Sequence, residues 1–263
     1  MAGSVALHHD VTGPDGGHVV LMGGSLGTTL DMWDAQAGPL SERFRVVRFD
    51  HRGHGGSPVP PGPYSIADLG GDVLALLDAL AVERASYCGI SIGGMVGIWL
   101  AAHAPERVER LALVCTAAHL PPPEAWEERA AEVEAAGTTA VVAETVLGRW
   151  LTPEYAREHP DARERLRAMV AATPVAGYAG CCRALGAMDL RPELARIRAP
   201  TLVVAADRDP STPAEHGAAI AAAIPGARFE LLSPSAHLAA VERADDVTRL
   251  VGEHLDGAAR AAS

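Results

Sequence analysis

The run Tyr87-Cys88-Gly89-Ile90-Ser91-Ile92-Gly93-Gly94 restricts the possible folds of this chain more than any other segment. It reads as the end of a strand, a G-x-S-x-G turn and the start of a helix, since only small residues beside the serine let the backbone reverse so sharply. A strained turn of this kind holds the Ser91 hydroxyl at the tip of a sheet, which makes Ser91 a candidate nucleophile. A glycine-flanked serine alone is often no more than a turn. Here Ala85-Ser86-Tyr87-Cys88 precedes it as a strand-like run, and Met95 to Ala102 follows as an apolar helix.

A serine hydroxyl is a weak nucleophile until a histidine takes its proton and an acid orients that histidine, here expected in the order Ser, Asp, His. The apolar run Thr201 to Ala206 ends in Asp207-Arg208-Asp209 and a proline-punctuated loop. Asp209 is the preferred acid, and Asp207, nearer the strand, is the alternative; either could instead serve as a turn former or helix cap. The base is expected in Phe229-Glu230-Leu231-Leu232-Ser233-Pro234-Ser235-Ala236-His237, again just after a strand. Among eleven histidines, His237 is set apart by lying after a strand and downstream of both Ser91 and Asp209. His8, His9, His18, His103, His119, His159, His216 and His254 have no motif around them.

An oxyanion hole needs the N–H after the nucleophile, here Ile92, and a second N–H from a loop after an earlier strand. Met22-Gly23-Gly24-Ser25-Leu26-Gly27-Thr28 follows the strand-like His18-Val19-Val20-Leu21, so Ser25 or Leu26 is the expected second donor. The loop has neither G-x-G-x-x-G nor a G-K-[ST] ending, which argues against a nucleotide site.

With these residues in view the chain resembles the α/β-hydrolase superfamily over nearly its full length, and most closely the 3-oxoadipate enol-lactonases of aromatic catabolism. Beyond Ser91, Asp209 and His237, the resemblance rests on Gly24-Ser25-Leu26-Gly27-Thr28 with Trp33, on Asp50-His51-Arg52-Gly53-His54-Gly55-Gly56-Ser57, on Gly180-Cys181-Cys182-Arg183-Ala184 with Met188-Asp189, and on Ala236-His237-Leu238 with Val241-Glu242. The D-x-R-G-x-G-x-S turn is shared across the superfamily and gives Asp50, His51, Arg52 and His54 structural roles. The Gly-Cys-Cys segment is narrower and favours the lactonases. Many superfamily members carry His-Gly where this chain has Gly23-Gly24, a departure that weakens a generic esterase reading more than a lactonase one. A serine at the elbow argues against haloalkane dehalogenases and epoxide hydrolases, which use aspartate there.

Alternating strand-like runs (Val46–Phe49, Leu111–Val114, Thr201–Ala205, Phe229–Leu232) and helical stretches (Ile66–Leu80, Ala214–Ala223, Asp245–Leu255) indicate an α/β fold with a mostly parallel, doubly wound sheet. The alternation stops between Leu113 and Leu202. After Pro121-Pro122-Pro123 the chain reads as helices to about residue 188. The expected division is an α/β-hydrolase core of residues 1–120 and 189–263 and a helical cap of residues 121–188, inserted after the sixth strand. Such a cap would shape an acyl pocket and exclude bulk water, unless it is a plain structural appendage. Trp33, Trp126 and Trp150 are candidate pocket residues, and Arg129 and Arg149, next to the cap tryptophans, are candidates for pairing with a substrate carboxylate.

At 263 residues the chain is ordinary for one α/β domain with an insertion. A net charge of −11 argues against nucleic-acid and anionic-membrane partners. No long apolar span or signal pattern appears, so the chain reads as cytoplasmic. Cys88, Cys115, Cys181 and Cys182 form no C-x-x-C pair and suggest neither disulfides nor zinc. All 22 basic residues are arginine, so a substrate carboxylate must meet arginine, histidine or neutral donors.

These residues predict hydrolysis of a lactone or ester through an acyl-enzyme, with no cofactor or metal, and the resemblance implies that the lactone or ester is anionic. The resemblance makes the substrate 3-oxoadipate enol-lactone. The rivals are a carboxylesterase, a C–C bond hydrolase, a lactonase of a biosynthetic pathway, a cofactor-free haloperoxidase-like enzyme and a non-catalytic binding module. The chain ends soon after its last expected helix, leaving no room for the decarboxylase domain fused to some lactonases. Oligomeric state is not legible.

Overall fold

Runs rich in valine, leucine and alanine become strands where glycine, proline or charged residues bound them. The computed structural model describes residues 3–259 and joins seven such strands into one sheet. They are β1 (His9–Thr12), β2 (Val19–Gly23), β3 (Arg45–Phe49), β4 (Ala85–Ile90), β5 (Val108–Val114), β6 (Thr201–Ala206) and β7 (Arg228–Leu232), in the spatial order β1-β3-β2-β4-β5-β6-β7. Only β1 runs antiparallel to its neighbour β3. Strands β2, β4 and β6 are buried along their whole length, as parallel strands covered on both faces must be.

The covering helices are α1 (Asp34–Ser41), α2 (Ile66–Ala79) and α3 (Ile92–His103) in the first half of the chain. Helix α2 begins with a reciprocal cap: Asp68 N–H donates to the Ser65 hydroxyl, and Ser65 N–H donates to the Asp68 carboxylate. Five helices then lie between β5 and β6: α4 (Pro123–Ala136), α5 (Ala140–Trp150), α6 (Pro153–Glu158), α7 (Pro160–Ala172) and α8 (Val175–Ala187). Three of them start on proline, whose fixed φ and missing N–H suit the first helical position. Helix α4 packs on α8, and α5 on α7. This segment follows the fifth strand rather than the expected sixth, because residues 3–8 form no additional strand ahead of β1. Helices α9 (Ala214–Ala223), α10 (Ala239–Glu242) and α11 (Ala244–Ala259) complete the chain.

The chain runs from β2 outward to β3, returns past β2 to β4, and then proceeds outward to β7. Loops leaving β2 and β4 therefore diverge, opening a crevice at the carboxyl ends of the strands. The register levels those ends: Gly23 lies beside Gly89, Ile90 beside Val114, Val114 beside Val204, and Ala206 beside Leu232. Segments leaving β2, β4, β6 and β7 thus emerge along one rim.

Candidate active site

At Ser91 the chain leaves β4 with φ 56° and ψ −123° and enters α3 at the next residue. A non-glycine residue there carries strain of about 1–3 kcal/mol, which the surroundings must hold in place. They do so through hydrogen bonds: Ser91 N–H donates to the carbonyls of Val114 and Cys115, and the Thr116 hydroxyl donates to the Ser91 carbonyl at 2.7 Å. The flanking glycines have a steric reason. A Cβ on Gly89 would sit 2.3 Å from the Gly93 carbonyl oxygen, and one on Gly93 would sit 2.3 Å from that of Gly23. The second clash marks where the elbow presses on the loop after β2.

Asp209 lies in the loop after β6 and is buried together with His237 in the loop after β7. The His237 Nδ1–H donates to Asp209 Oδ2 at 2.8 Å, leaving Nε2 as the basic nitrogen. Both oxygens of Asp209 are otherwise occupied: Oδ1 accepts from the N–H groups of Ser211 and Thr212, and Oδ2 accepts from the Thr212 hydroxyl at 2.7 Å. Burial pushes the Asp209 carboxyl upward, but the imidazole and the Thr212 donors outweigh it and keep the group below its usual range. Asp207 does not meet His237. Its carboxylate accepts from the Ser233 hydroxyl at 2.6 Å and from Ser235 N–H at 3.0 Å, fastening the loop that carries the histidine.

The loop after β2 is shaped by the D-x-R-G-x-G-x-S turn. Asp50 accepts from Leu30 N–H, Gly56 N–H and His8 Nδ1. His51 Nε2–H donates to the Gly24 carbonyl, and His54 Nε2 accepts from Gly27 N–H at 2.9 Å. The two histidines therefore hold both ends of the segment Gly24–Gly27, a link that the motif alone did not reveal. Within it, Ser25 N–H is spent on the Met32 sulfur at 3.3 Å. The N–H groups of Leu26 and Ile92 donate to no acceptor among the described residues. Arg52 anchors the turn from below by donating twice to Asp72, at 2.5 and 2.7 Å, in full burial.

Ser25, Leu26, Ser91, Thr212 and His237 line one narrow cavity together with Trp126, Arg129, Trp150 and Tyr178. Leu120, Trp126, Arg129 and Ser211 continue from it into a wider outer recess, about 460 Å³, that Arg149 also lines. The structure thus brings Trp126, Arg129 and Trp150 to the inner cavity and leaves Arg149 at its mouth. Trp33 is a correction: it lines neither space and lies fully buried in the core, because the turn Leu30–Trp33 folds inward over β2 and β3. Tyr178, on the Gly-Cys-Cys helix α8, had no local signal that would place it here. Its position follows from Gly177, which packs on Gly53 so closely that a Cβ would stand 2.4 Å from the opposing Cα.

The helical segment is stitched to the histidine loop. Leu238 N–H donates to the Trp150 carbonyl, and Glu242 accepts from Thr152 N–H and its hydroxyl on one oxygen and from Ala236 N–H on the other. The four cysteines are buried free thiols. Among the described residues no group of three His, Cys, Asp or Glu side chains is placed to hold a metal ion, and no helix is long and apolar enough to cross a membrane.

Comparison with known proteins matches residues 17–244 to the α/β-hydrolase fold family. The chain is 40% identical over 242 residues to 3-oxoadipate enol-lactonase 2 of Acinetobacter baylyi, covering 92% of this chain and 90% of that one. Among solved structures it superposes on the enol-lactonase from Burkholderia xenovorans LB400 with a TM-score of 0.93 and 40% identity, over 96% of this chain and 97% of the other. A hydrolase from Pseudomonas aeruginosa PA01 gives a TM-score of 0.92 at 45% identity, over 97% and 99% of the two chains.

Proposed function

Because this chain belongs to the α/β-hydrolase family and is a hydrolase of the lactone and ester type, we propose that it is a serine hydrolase that opens 3-oxoadipate enol-lactone to 3-oxoadipate in aromatic catabolism. The observation that carries the mechanism is the 2.8 Å contact between His237 Nδ1 and Asp209, with His237 and Ser91 lining the same cavity. The substrate assignment rests on the relatives, two of which bear the name 3-oxoadipate enol-lactonase.

In this reading His237 Nε2 takes the Ser91 proton as the hydroxyl oxygen attacks the lactone carbonyl, and Asp209 stabilises the resulting imidazolium. The oxyanion is received by the N–H groups of Ile92 and Leu26, and the positive end of α3 adds to their field. Leu26 is favoured over Ser25 because the Ser25 N–H is already directed at Met32. When the tetrahedral intermediate collapses, the ring C–O bond breaks and the imidazolium proton goes to the leaving enolate oxygen. The enol then tautomerises to the ketone. His237 next activates a water that attacks the acyl-enzyme, releasing the carboxylic acid and restoring the Ser91 hydroxyl. The segment 121–188 acts as a cap over this chemistry, keeping water from the acyl-enzyme until the leaving group has been expelled.

The deciding measurement is kcat/KM for 3-oxoadipate enol-lactone beside that for a p-nitrophenyl ester, each repeated with Ser91→Ala. A strong preference for the enol-lactone, abolished in the variant, is the expected result. Hydrolysis of the simple ester alone would keep the serine chemistry and reject the substrate.

A further inference from the structure

We propose that the free edge of β7 is a self-association surface, on which a second copy of this chain pairs antiparallel so that Phe229 lies opposite its own counterpart. Strand β7 ends the sheet, with β6 as its neighbour on the inner side. The Asp207 N–H donates to the Leu232 carbonyl at 3.0 Å, so the backbone polar groups of Leu232 face β6. These groups alternate sides along a strand, so those of Arg228 and Glu230 face β6 as well, and those of Phe229 and Leu231 point outward. The outward groups have no hydrogen-bond partner among the described residues. An edge in this state is a template for another strand unless it is blunted. Proline, a bulge and lysine, the usual devices, are all absent from β7, whose five residues pair with β6 in unbroken register. The side chains of Phe229 and Leu231 are moreover 36% and 50% exposed, whereas the opposite edge, the four-residue β1, presents Val11 as its one exposed large apolar side chain.

The residues of the edge identify the partner as a second copy, because they complement themselves in one register. In an antiparallel pair an outward-facing residue must oppose another outward-facing one, so a two-fold axis passes through a residue and its own counterpart. With the axis at Phe229, Arg228 of each copy lies opposite Glu230 of the other, in the non-hydrogen-bonded positions where side chains come closest. Arg228 and Glu230 share one face of β7, 3.5 Å apart within the chain and both exposed, so neither is committed to a buried partner. The same register sets the two Phe229 rings side by side and lays Leu231 beside Ala227, burying the exposed apolar side chains. With the axis at Arg228 or Glu230, like charges would stand directly opposite each other. With the axis at Leu231, Arg228 would face Pro234 and meet no charge. Pairing about Phe229 joins two seven-stranded sheets into one and consumes both free β7 edges, so assembly through this surface closes at two chains.

Sedimentation velocity on the wild-type protein, on Arg228→Glu, on Glu230→Arg and on an equimolar mixture of the two variants tests both the surface and the register. At micromolar concentration the wild-type protein should sediment at twice the chain mass of 27.3 kDa. Each reversal sets like charges opposite each other at two symmetry-related points and should weaken the dimer about 10- to 100-fold. In the mixture, an edge carrying two acids meets an edge carrying two arginines, so a mixed dimer should form. A melting curve checks that each variant is folded; if one is not, the other is read against the double variant Arg228→Glu/Glu230→Arg, which should dimerise as the wild-type protein does. A monomeric wild-type protein, which would leave the edge to a segment of some other chain, overturns the proposal. So does an assembly that withstands both reversals, or a pair of variants that stay apart when mixed.

Discussion

On the strand-end side of the cavity almost every polar group is already engaged by a hydrogen bond, whereas the helical side lines it mainly with aromatic and aliphatic side chains, Trp126, Val146, Trp150, Tyr178 and Leu185, beside Arg129. Asp209 accepts four hydrogen bonds, and the Gly24–Gly27 segment is held by His51 and His54. Helices α4 to α8 are instead laced on their outer face by ion pairs such as those of Arg183 with Glu127 and Glu134. The difference separates two tasks. Chemistry requires donors and acceptors fixed before the substrate arrives, so the strand ends use them up on one another. A cavity wall needs shape more than fixed donors, and the helical side supplies it as packed rings and aliphatic side chains.

The comparison breaks most visibly at the nucleophile. Ser91→Ala or His237→Ala should lower kcat by a factor on the order of 10⁴ to 10⁶ with an unchanged melting temperature. A folded variant with near-normal turnover would remove the chemistry from the strand ends altogether. The two acids provide a second, smaller contrast. Asp209→Asn, which forces the wrong imidazole tautomer, should cost about 10³ to 10⁴ in kcat. Asp207→Asn loses only the fastening of Ser233 and Ser235 and should cost about tenfold or less. If the two losses were reversed, the hydrogen bond from His237 to Asp209 would have no catalytic meaning.

A third test concerns stability on the strand-end side. Burial, helped by the neighbouring His54, lowers His51 to about 3. An unfolded histidine titrates near 6.5, so below that value the unfolded chain takes up a proton that the folded chain refuses until about pH 3. Stability is therefore lost as pH falls through this window, by about 2 kcal/mol between pH 6.5 and 5 for this one group. Urea unfolding at the two pH values should show the loss, and His51→Gln should reduce it. The smallest effect belongs to the helical side. Arg183→Ala should lower stability by less than about 1 kcal/mol, because its ion pairs are largely solvated. A larger loss would mean that these surface pairs, rather than the packing of α4 on α8, hold the helices together.

What the sequence determined by itself was the part governed by short-range rules. The glycines beside Ser91, the strand-like runs of β2, β4 and β6, and the break at Pro121-Pro122-Pro123 are consequences of local sterics and periodicity, and they announce the elbow, the parallel sheet and the helical insertion. The chain order of Ser91, Asp209 and His237, each just after a strand, could be read for the same reason. The tertiary structure alone decided which side chains face the cavity. It turned Asp209 rather than Asp207 toward His237, directed Ser25 N–H at Met32, buried Trp33 in the core and brought Tyr178 beside Arg129. Each of those outcomes depends on how closely elements distant in the chain approach one another, as Gly53 approaches Gly177, and no local pattern encodes that distance.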